Sequence, residues 1–313
     1  FNKEIAMKLL SALAVGLMLA GPVSAQDLKQ CLPPAEGSLR FMLNTLPPAN
    51  DRLAVEQYDR GVMHREGEGV PQDYSESLKW FLLAANQGHS IAQYNLGLMY
   101  DHGQGVDKDI ATAGRWYRMA ADLGNAQAQA ILGTKYYQMQ NYAEALKWYC
   151  LASEQGLASA QNNIGLMYSN GRGVPRDYAE ALEWYRLAAA QGYLTAQYKI
   201  GESYENGYGT LQDYVEAVRW YRMAAEQGNS DAQVALGNMY LNARGVPQDY
   251  VTAHMWFNIE TAVGYGFGRS FLSEIGSHMT SADISEAQRR ASVCLTSNYQ
   301  DCDDSAQPWW WPF

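Results

Sequence analysis

The chain has 313 residues, 47% of them apolar and 18% charged, a composition that folds into a packed core and argues against disorder. Its net charge is −10, from 23 basic and 33 acidic residues, so it lacks the basic footprint that nucleic acid binding requires, and no nucleic acid partner is predicted. Four cysteines are too few for a disulfide-dense miniprotein.

Residues 1–25 read as a secretory signal peptide. Lys8 precedes an apolar run from Leu9 to Ala20, too short to cross a bilayer, and Gly21-Pro22-Val23-Ser24-Ala25 offers a small-x-small site that predicts cleavage after Ala25. Met7 reads as the start, and the six residues ahead of it as upstream sequence. No Cys follows Leu19-Ala20-Gly21, so no acyl anchor is implied, and no other segment reaches membrane-spanning length. The expectation is a periplasmic or secreted protein with no stable membrane anchor. Residues 26–52 are Pro-rich and read as an irregular lead-in.

Residues 53–264 repeat one unit. Gly61, Gly97, Gly133, Gly165, Gly201 and Gly237 fall at spacings of 36, 36, 32, 36 and 36. Trp80, Trp116, Trp148, Trp184, Trp220 and Trp256 follow the same series, as do Gly88, Gly124, Gly156, Gly192, Gly228 and Gly264. Three markers in one irregular register signal a stacked array, with units at 53–90, 91–126, 127–158, 159–194, 195–230 and 231–264.

Each unit reads as two helices. In the fourth, Ala160, Ile164, Met167 and Tyr168 make one apolar stripe, and Asn170-Gly171-Arg172-Gly173-Val174-Pro175 breaks it. Asp177 then serves as N-cap with Glu180 as its reciprocal partner, Ala181, Trp184, Tyr185 and Ala188 form the second stripe, and Gly192 closes it. The cap recurs as Asp73/Glu76, Asn141/Glu144 and Asp213/Glu216, and is weakened in Asp109/Thr112 and Asp249/Thr252. The unit from Gln127 lacks four loop residues but keeps Asn141. A glycine inside a helix costs ~1 kcal/mol against alanine. Its recurrence in every first helix predicts a close crossing, with room only for a hydrogen beneath a facing Trp or Tyr.

The signature Ala92-Gln93-Tyr94-Asn95-Leu96-Gly97-Leu98-Met99-Tyr100, then Gly103-Gln104-Gly105-Val106, with Pro175-Arg176-Asp177-Tyr178-Ala179-Glu180-Ala181 in the better copies, resembles the Sel1-like repeat family, a cousin of the tetratricopeptide repeats. The resemblance implies an all-α, right-handed αα superhelix (solenoid) of about six helix-turn-helix repeats that works as a protein-interaction scaffold. In the related tetratricopeptide scaffolds the first helix of each unit lines the concave groove. Carried over to positions that vary between copies, this gives Tyr94, Leu98, Asp101 and His102, then Ala130, Thr134 and Tyr137, then Asn162, Leu166, Ser169 and Asn170. The later units add Tyr198, Glu202, Glu205 and Asn206, then Asn238, Leu241 and Asn242. This mix suits a protein or extended peptide: amides bond its backbone, Tyr gives contact area at low entropy cost, and Glu202 with Glu205 favours basic side chains.

The period is lost beyond Gly264. Residues 265–300 read as a capping segment, with a closing helix from Thr280 to Leu295 that places Ile284, Ala287, Ala291 and Leu295 on one face. Residues 301–313 form a Trp/Pro-rich tail. Trp309-Trp310-Trp311 reads as an extended peptide laid into a groove, as an interfacial anchor that Asp301, Asp303 and Asp304 argue against, or as an accidental extension.

No catalytic residue, metal site or cofactor is predicted. His64, His89, His102, His254 and His278 lack ligand spacing, Asp101, Asp107 and Asp109 do not fit a calcium loop, and the Gly-x-Gly turns follow helices without a Lys-Ser/Thr. Some cysteine-rich relatives are described as penicillin-binding or weakly β-lactam-hydrolysing. The alternative reading is therefore a cell-wall-directed protein that binds or weakly hydrolyses a β-lactam or peptidoglycan-like ligand. Against it, no serine has a lysine three residues later, and the repeats lack those relatives' Cys-x7-Cys bridge. Cys294 and Cys302 have that spacing outside the repeats, where a local bridge would pin the tail to the cap in an oxidising compartment. Cys31 and Cys150 stay open: they can pair, or remain lone thiols.

Overall fold

The computed structural model describes residues 51–263 and 266–302. The segment read as a signal peptide, the lead-in up to residue 50, Cys31 and the tail from residue 303 lie outside the described residues.

Among the described residues there are fourteen helices and no strand. Twelve follow as successive pairs: α1 (Asp51–Glu66) and α2 (Tyr74–Asn86), α3 (Ser90–His102) and α4 (Ile110–Asp122), α5 (Ala126–Gln138) and α6 (Tyr142–Glu154), α7 (Ala158–Asn170) and α8 (Tyr178–Ala189), α9 (Leu194–Asn206) and α10 (Tyr214–Ala225), α11 (Ser230–Leu241) and α12 (Tyr250–Val263). The helices α13 (Arg269–Gly276) and α14 (Ser281–Thr296) close the array. The eight-residue α13 has no counterpart in the sequence reading. Two compact units result: one reaches Met167 and includes Gly171–Pro175, the other takes Tyr168–Asn170 and the chain from Arg176.

Within a pair the first-helix glycine lies against a ring of the second helix. In the first unit, a Cβ on Gly61 would sit 2.5 Å from the Phe81 ring, one on Gly97 2.5 Å from Tyr117, and one on Gly133 2.6 Å from Tyr149. In the second unit, Gly201 meets Tyr221 at 2.6 Å and Gly237 meets Phe257 at 2.8 Å. Carbon atoms do not approach so closely, so a side chain here would push the helices apart. The ring over the glycine is thus Tyr or Phe, and not the preceding Trp. That Trp turns towards the preceding repeat: Trp116 packs on the cluster of Phe81, Ala84, Ala85 and Leu96, and Trp148 on that of Ala113, Tyr117 and Ala128.

The loops are equally tight. Gly105 has φ +69°, and a Cβ there would lie 2.5 Å from the Tyr74 carbonyl, so the turn needs both the left-handed backbone and the missing side chain. In the short unit three residues, Met139-Gln140-Asn141, connect α5 to α6, with Gln140 itself at φ 60°.

The second-helix caps form as half of what the sequence suggested. Asp177 Oδ1 accepts from Ala179 N and Glu180 N at 3.0 Å each, but the Glu180 side chain does not return to the cap. The Asp177 N–H already donates to Tyr168 O at 3.0 Å, so no donor is left for it. Glu180 accepts instead from Trp184 Nε1 at 3.0 Å, and Glu76 and Glu144 pair with Lys79 and Lys147 at 2.8 Å. A full reciprocal box occurs at Thr280 and Asp283, at the start of α14.

A buried glutamine marks the start of the first helix in the second to sixth pairs. Gln93 Nε2 donates to Ala85 O at 3.0 Å, and Gln129 and Gln233 donate to Ala121 O and Ala225 O at 3.2 Å. The other half of the amide looks forward: Gln155 Nε2 donates to Gln129 Oε1 at 2.8 Å, and Gln227 Nε2 to Gln197 Oε1 at 3.1 Å. Leu123 and Val263 occupy the equivalent donor positions for Gln93 and Gln233, whose Oε1 atoms are buried with no partner among the described residues.

At the C-terminal end α14 packs on α12. The fully buried Glu260 accepts from Phe267 N at 3.1 Å and Gly268 N at 2.6 Å, fixing the turn into α13. Cys294 and Cys302 form a disulfide around the left-handed residues Asn298 and Tyr299, and the Tyr299 ring rests over Gly228. Cys150 is also disulfide-bonded and is not a lone thiol, while the Cys31 half of the question lies outside the described residues.

Candidate functional site

The first helices repeat two outward positions around the buried glycine. Three residues before it stands a tyrosine in three copies. Tyr58 leans on Phe81 at a centroid distance of 5.6 Å, Tyr94 on Tyr117 at 6.0 Å, and Tyr198 on Tyr221 at 5.6 Å. Four residues after it stands a side chain that the hydroxyl of the same second-helix tyrosine reaches. Tyr117 Oη donates to Asp101 Oδ2 at 3.4 Å, Ser169 Oγ and Tyr185 Oη lie 3.2 Å apart, and Tyr221 Oη donates to Glu205 Oε2 at 2.7 Å. In the short unit Tyr149 Oη donates to Thr134 at 3.1 Å. Where the ring is Phe, the partner changes: Leu241 packs in the cluster of Phe257, and Arg65 lies over Phe81 at 5.8 Å. The tyrosines therefore pass through the helical pair and present their hydroxyls on its first-helix side.

In the second unit these positions line a cleft of about 410 Å³. From α9 it takes Tyr198, Glu202, Glu205 and Asn206, and from α11 Asp231, Val234, Ala235 and Asn238; Tyr221 forms part of its floor and Phe267 part of its rim. Glu202 Oε2 pairs with Lys199 Nζ at 2.7 Å, and Glu205 Oε1 faces Arg244 Nη1 at 3.3 Å. Burial, reinforced by Glu202, Asp231 and Glu205, pushes the Tyr198 phenol well above its ordinary range. Burial and then the bond to Glu205 do the same to Tyr221, so both remain neutral phenols at physiological pH.

Five residues singled out in the sequence, Tyr198, Glu202, Glu205, Asn206 and Asn238, thus come together. Tyr94, Leu98 and Asp101 share one face of α3 in the first unit, with Tyr94 and Leu98 packed on the cluster around Tyr117. Ser169 meets Tyr185, and Leu166 is half-buried. Asn162 is only 6% exposed and its Oδ1 has no hydrogen-bond partner among the described residues, so it offers less open surface than the sequence reading gave it. Sequence reasoning missed Tyr221, Asp231 and Phe267. The first had a signal: Tyr alternates with Phe in step with the residue four places after the glycine. Asp231 and Phe267 had none, because their place in the cleft depends on how neighbouring repeats meet.

Among the described residues, no three His, Cys, Asp or Glu side chains gather where they could hold a metal ion, and no helix is long and apolar enough to cross a membrane.

Fold and cleft define the class: an all-α tandem array of helical pairs with its open cleft on the first-helix side. The Sel1 repeat profile matches residues 57–89, 90–125, 126–157, 158–193, 194–229 and 230–259, and the chain belongs to the Sel1 repeat family. Two solved structures are similar. One is described as a protective antigen present in uropathogenic Escherichia coli strains displaying an SLR fold; it is 33% identical, with TM-score 0.73, over 80% of this chain and 54% of that one. The other is a Sel1 repeat protein from Oxalobacter formigenes, 36% identical, with TM-score 0.63, over 67% of this chain and 88% of that one. The chain spans about half the length of the E. coli antigen. No curated protein matches the sequence significantly.

Proposed function

We propose that the chain is a non-catalytic scaffold outside the cytoplasm that binds a protein or extended peptide along its first-helix side. The observation that carries this reading is the cleft itself, where two consecutive first helices set Tyr198, Glu202, Glu205 and Asn238 around one opening. Its amides, phenols and carboxylates are of the kind that fix orientation, and Val234, Ala235 and the tyrosine rings supply contact area. Membership of the Sel1 repeat family supports a role in protein interaction. The leader-like segment and the disulfides at Cys150 and Cys294–Cys302 support an oxidising compartment.

The test is affinity capture from cell-envelope extract with wild type and with Tyr198→Ala/Glu202→Ala, followed by direct titration of whatever differs. A partner lost in the variant, with helical circular dichroism unchanged, supports the reading. Identical captures from both proteins would count against it.

A further inference from the structure

The three carboxylates of the cleft are unevenly matched. Glu202 is met by Lys199 and Glu205 by Arg244 and Tyr221, whereas Asp231, exposed in the first turn of α11, pairs with no cation among the described residues. One rim of the cleft therefore carries an uncompensated negative charge. The same cleft holds two aromatic rings, the half-buried one of Tyr198 and the exposed one of Phe267. The Tyr198 ring already lies under Lys199 Nζ at 5.2 Å, so a cation over this surface is a geometry the site itself uses. Asn206 and Asn238 supply uncharged donors and acceptors.

Resting on the peptide-binding reading above, we propose that this cleft is a subsite for one cationic side chain, arginine in preference to lysine, carried by an extended peptide. A guanidinium matches both halves of the site: its flat face stacks on the tyrosine and its fork meets the Asp231 carboxylate in bidentate fashion. An ammonium meets the carboxylate as a point charge but keeps more of its hydration and stacks less well. An anionic side chain would face like charge, and a purely apolar one would cover Asp231 without giving it a partner.

The experiment is a titration of isotope-labelled full-length protein with three blocked pentapeptides, acetyl-Ala-Ala-Xaa-Ala-Ala-amide with Xaa arginine, citrulline or glutamate, followed by backbone amide shifts. The arginine peptide is expected to move the resonances around Asp231 and Tyr198 and to bind at least fivefold more tightly than the citrulline peptide, which has the same shape without the charge. Asp231→Asn, which changes one exposed atom, is expected to make the two peptides equal at unchanged thermal stability. Citrulline or glutamate binding as well as arginine overturns the cation assignment and leaves the peptide groove standing. An arginine effect spread over the surface and kept in Asp231→Asn also overturns it. If no peptide moves any cleft resonance, both the subsite and the peptide groove at this place are overturned.

Discussion

Tyr221 donates its hydroxyl to Glu205 at 2.7 Å, from the second helix of a pair to the first, past a glycine with no room for a side chain. The carboxylate that faces the cleft is therefore positioned from beneath. Tyr221→Phe removes that donor while Arg244 still faces Glu205, so the expected loss is about 1 kcal/mol. The array holds a natural version of the double replacement, Phe257 with Leu241. Combining Tyr221→Phe with Glu205→Leu is expected to recover most of the loss. Urea denaturation of the two single variants and the double variant measures the coupling, and an additive double would refute it.

Two glycines of adjacent helices predict opposite signs for the same substitution. Gly97→Ala places a Cβ 2.5 Å from the Tyr117 ring and should destabilise by about 2 kcal/mol through overpacking. Gly114, inside α4, meets only Lys135 Nζ at 3.6 Å. There Gly114→Ala should stabilise by about 0.5–1 kcal/mol through helix propensity. Thermal melts of the two variants decide the matter.

Leu123→Gln is expected to stabilise. Leu123 is 54% exposed, so little apolar burial is lost, and a glutamine there can donate to the orphaned Oε1 of Gln93 as Gln155 does to Gln129. The gain should be about 1 kcal/mol. It should vanish in Gln93→Ala, which distinguishes a restored bond from a general surface effect.

Glu260→Ala should open the turn before α13. Two backbone N–H groups, of Phe267 and Gly268, lose a fully buried acceptor, at a cost of about 2–3 kcal/mol. Amide hydrogen exchange at residues 266–276 should accelerate more than exchange in α9, and uniform protection would contradict this.

Asp109 and Asp283 lie below the ordinary carboxylate range because the hydroxyls and backbone N–H groups of Thr112 and Thr280 donate to them. A depressed acid lends stability that is fully present above its unfolded pKa, about 4, and is lost as pH falls through the lower folded value. Melting temperature should therefore hold level down to about pH 4 and drop below it. Thr280→Val should raise the Asp283 titration midpoint in carboxyl NMR.

The sequence made the repeat plain, because glycine, tryptophan and turn residues recur in one register and each has a local cause. It placed the first helices, the loops and the closing helix. It offered Trp as well as Tyr for the ring over the glycine, since two adjacent aromatics share one helical stripe and only the crossing decides between them. It assumed a reciprocal Glu180 cap because spacing alone cannot reveal that the Asp177 N–H is already taken by Tyr168. It read Glu202 and Glu205 as favouring basic side chains of a partner, yet both already have cationic neighbours, one of them, Arg244, from the following repeat's loop. A period shows which positions are alike, but not what each one meets in the next repeat.

The end of the array has a consequence for assembly. A stack of similar repeats presents, at its last member, a sticky end able to accept a further copy, and unchecked addition would grow filaments. Here α14 lies on α12, and the Cys294–Cys302 loop lays Tyr299 over Gly228. That face is covered by α14, held there by packing on α12, while the Cys294–Cys302 bridge fixes the turn that follows α14, so a further copy would have to displace α14 to add on this side.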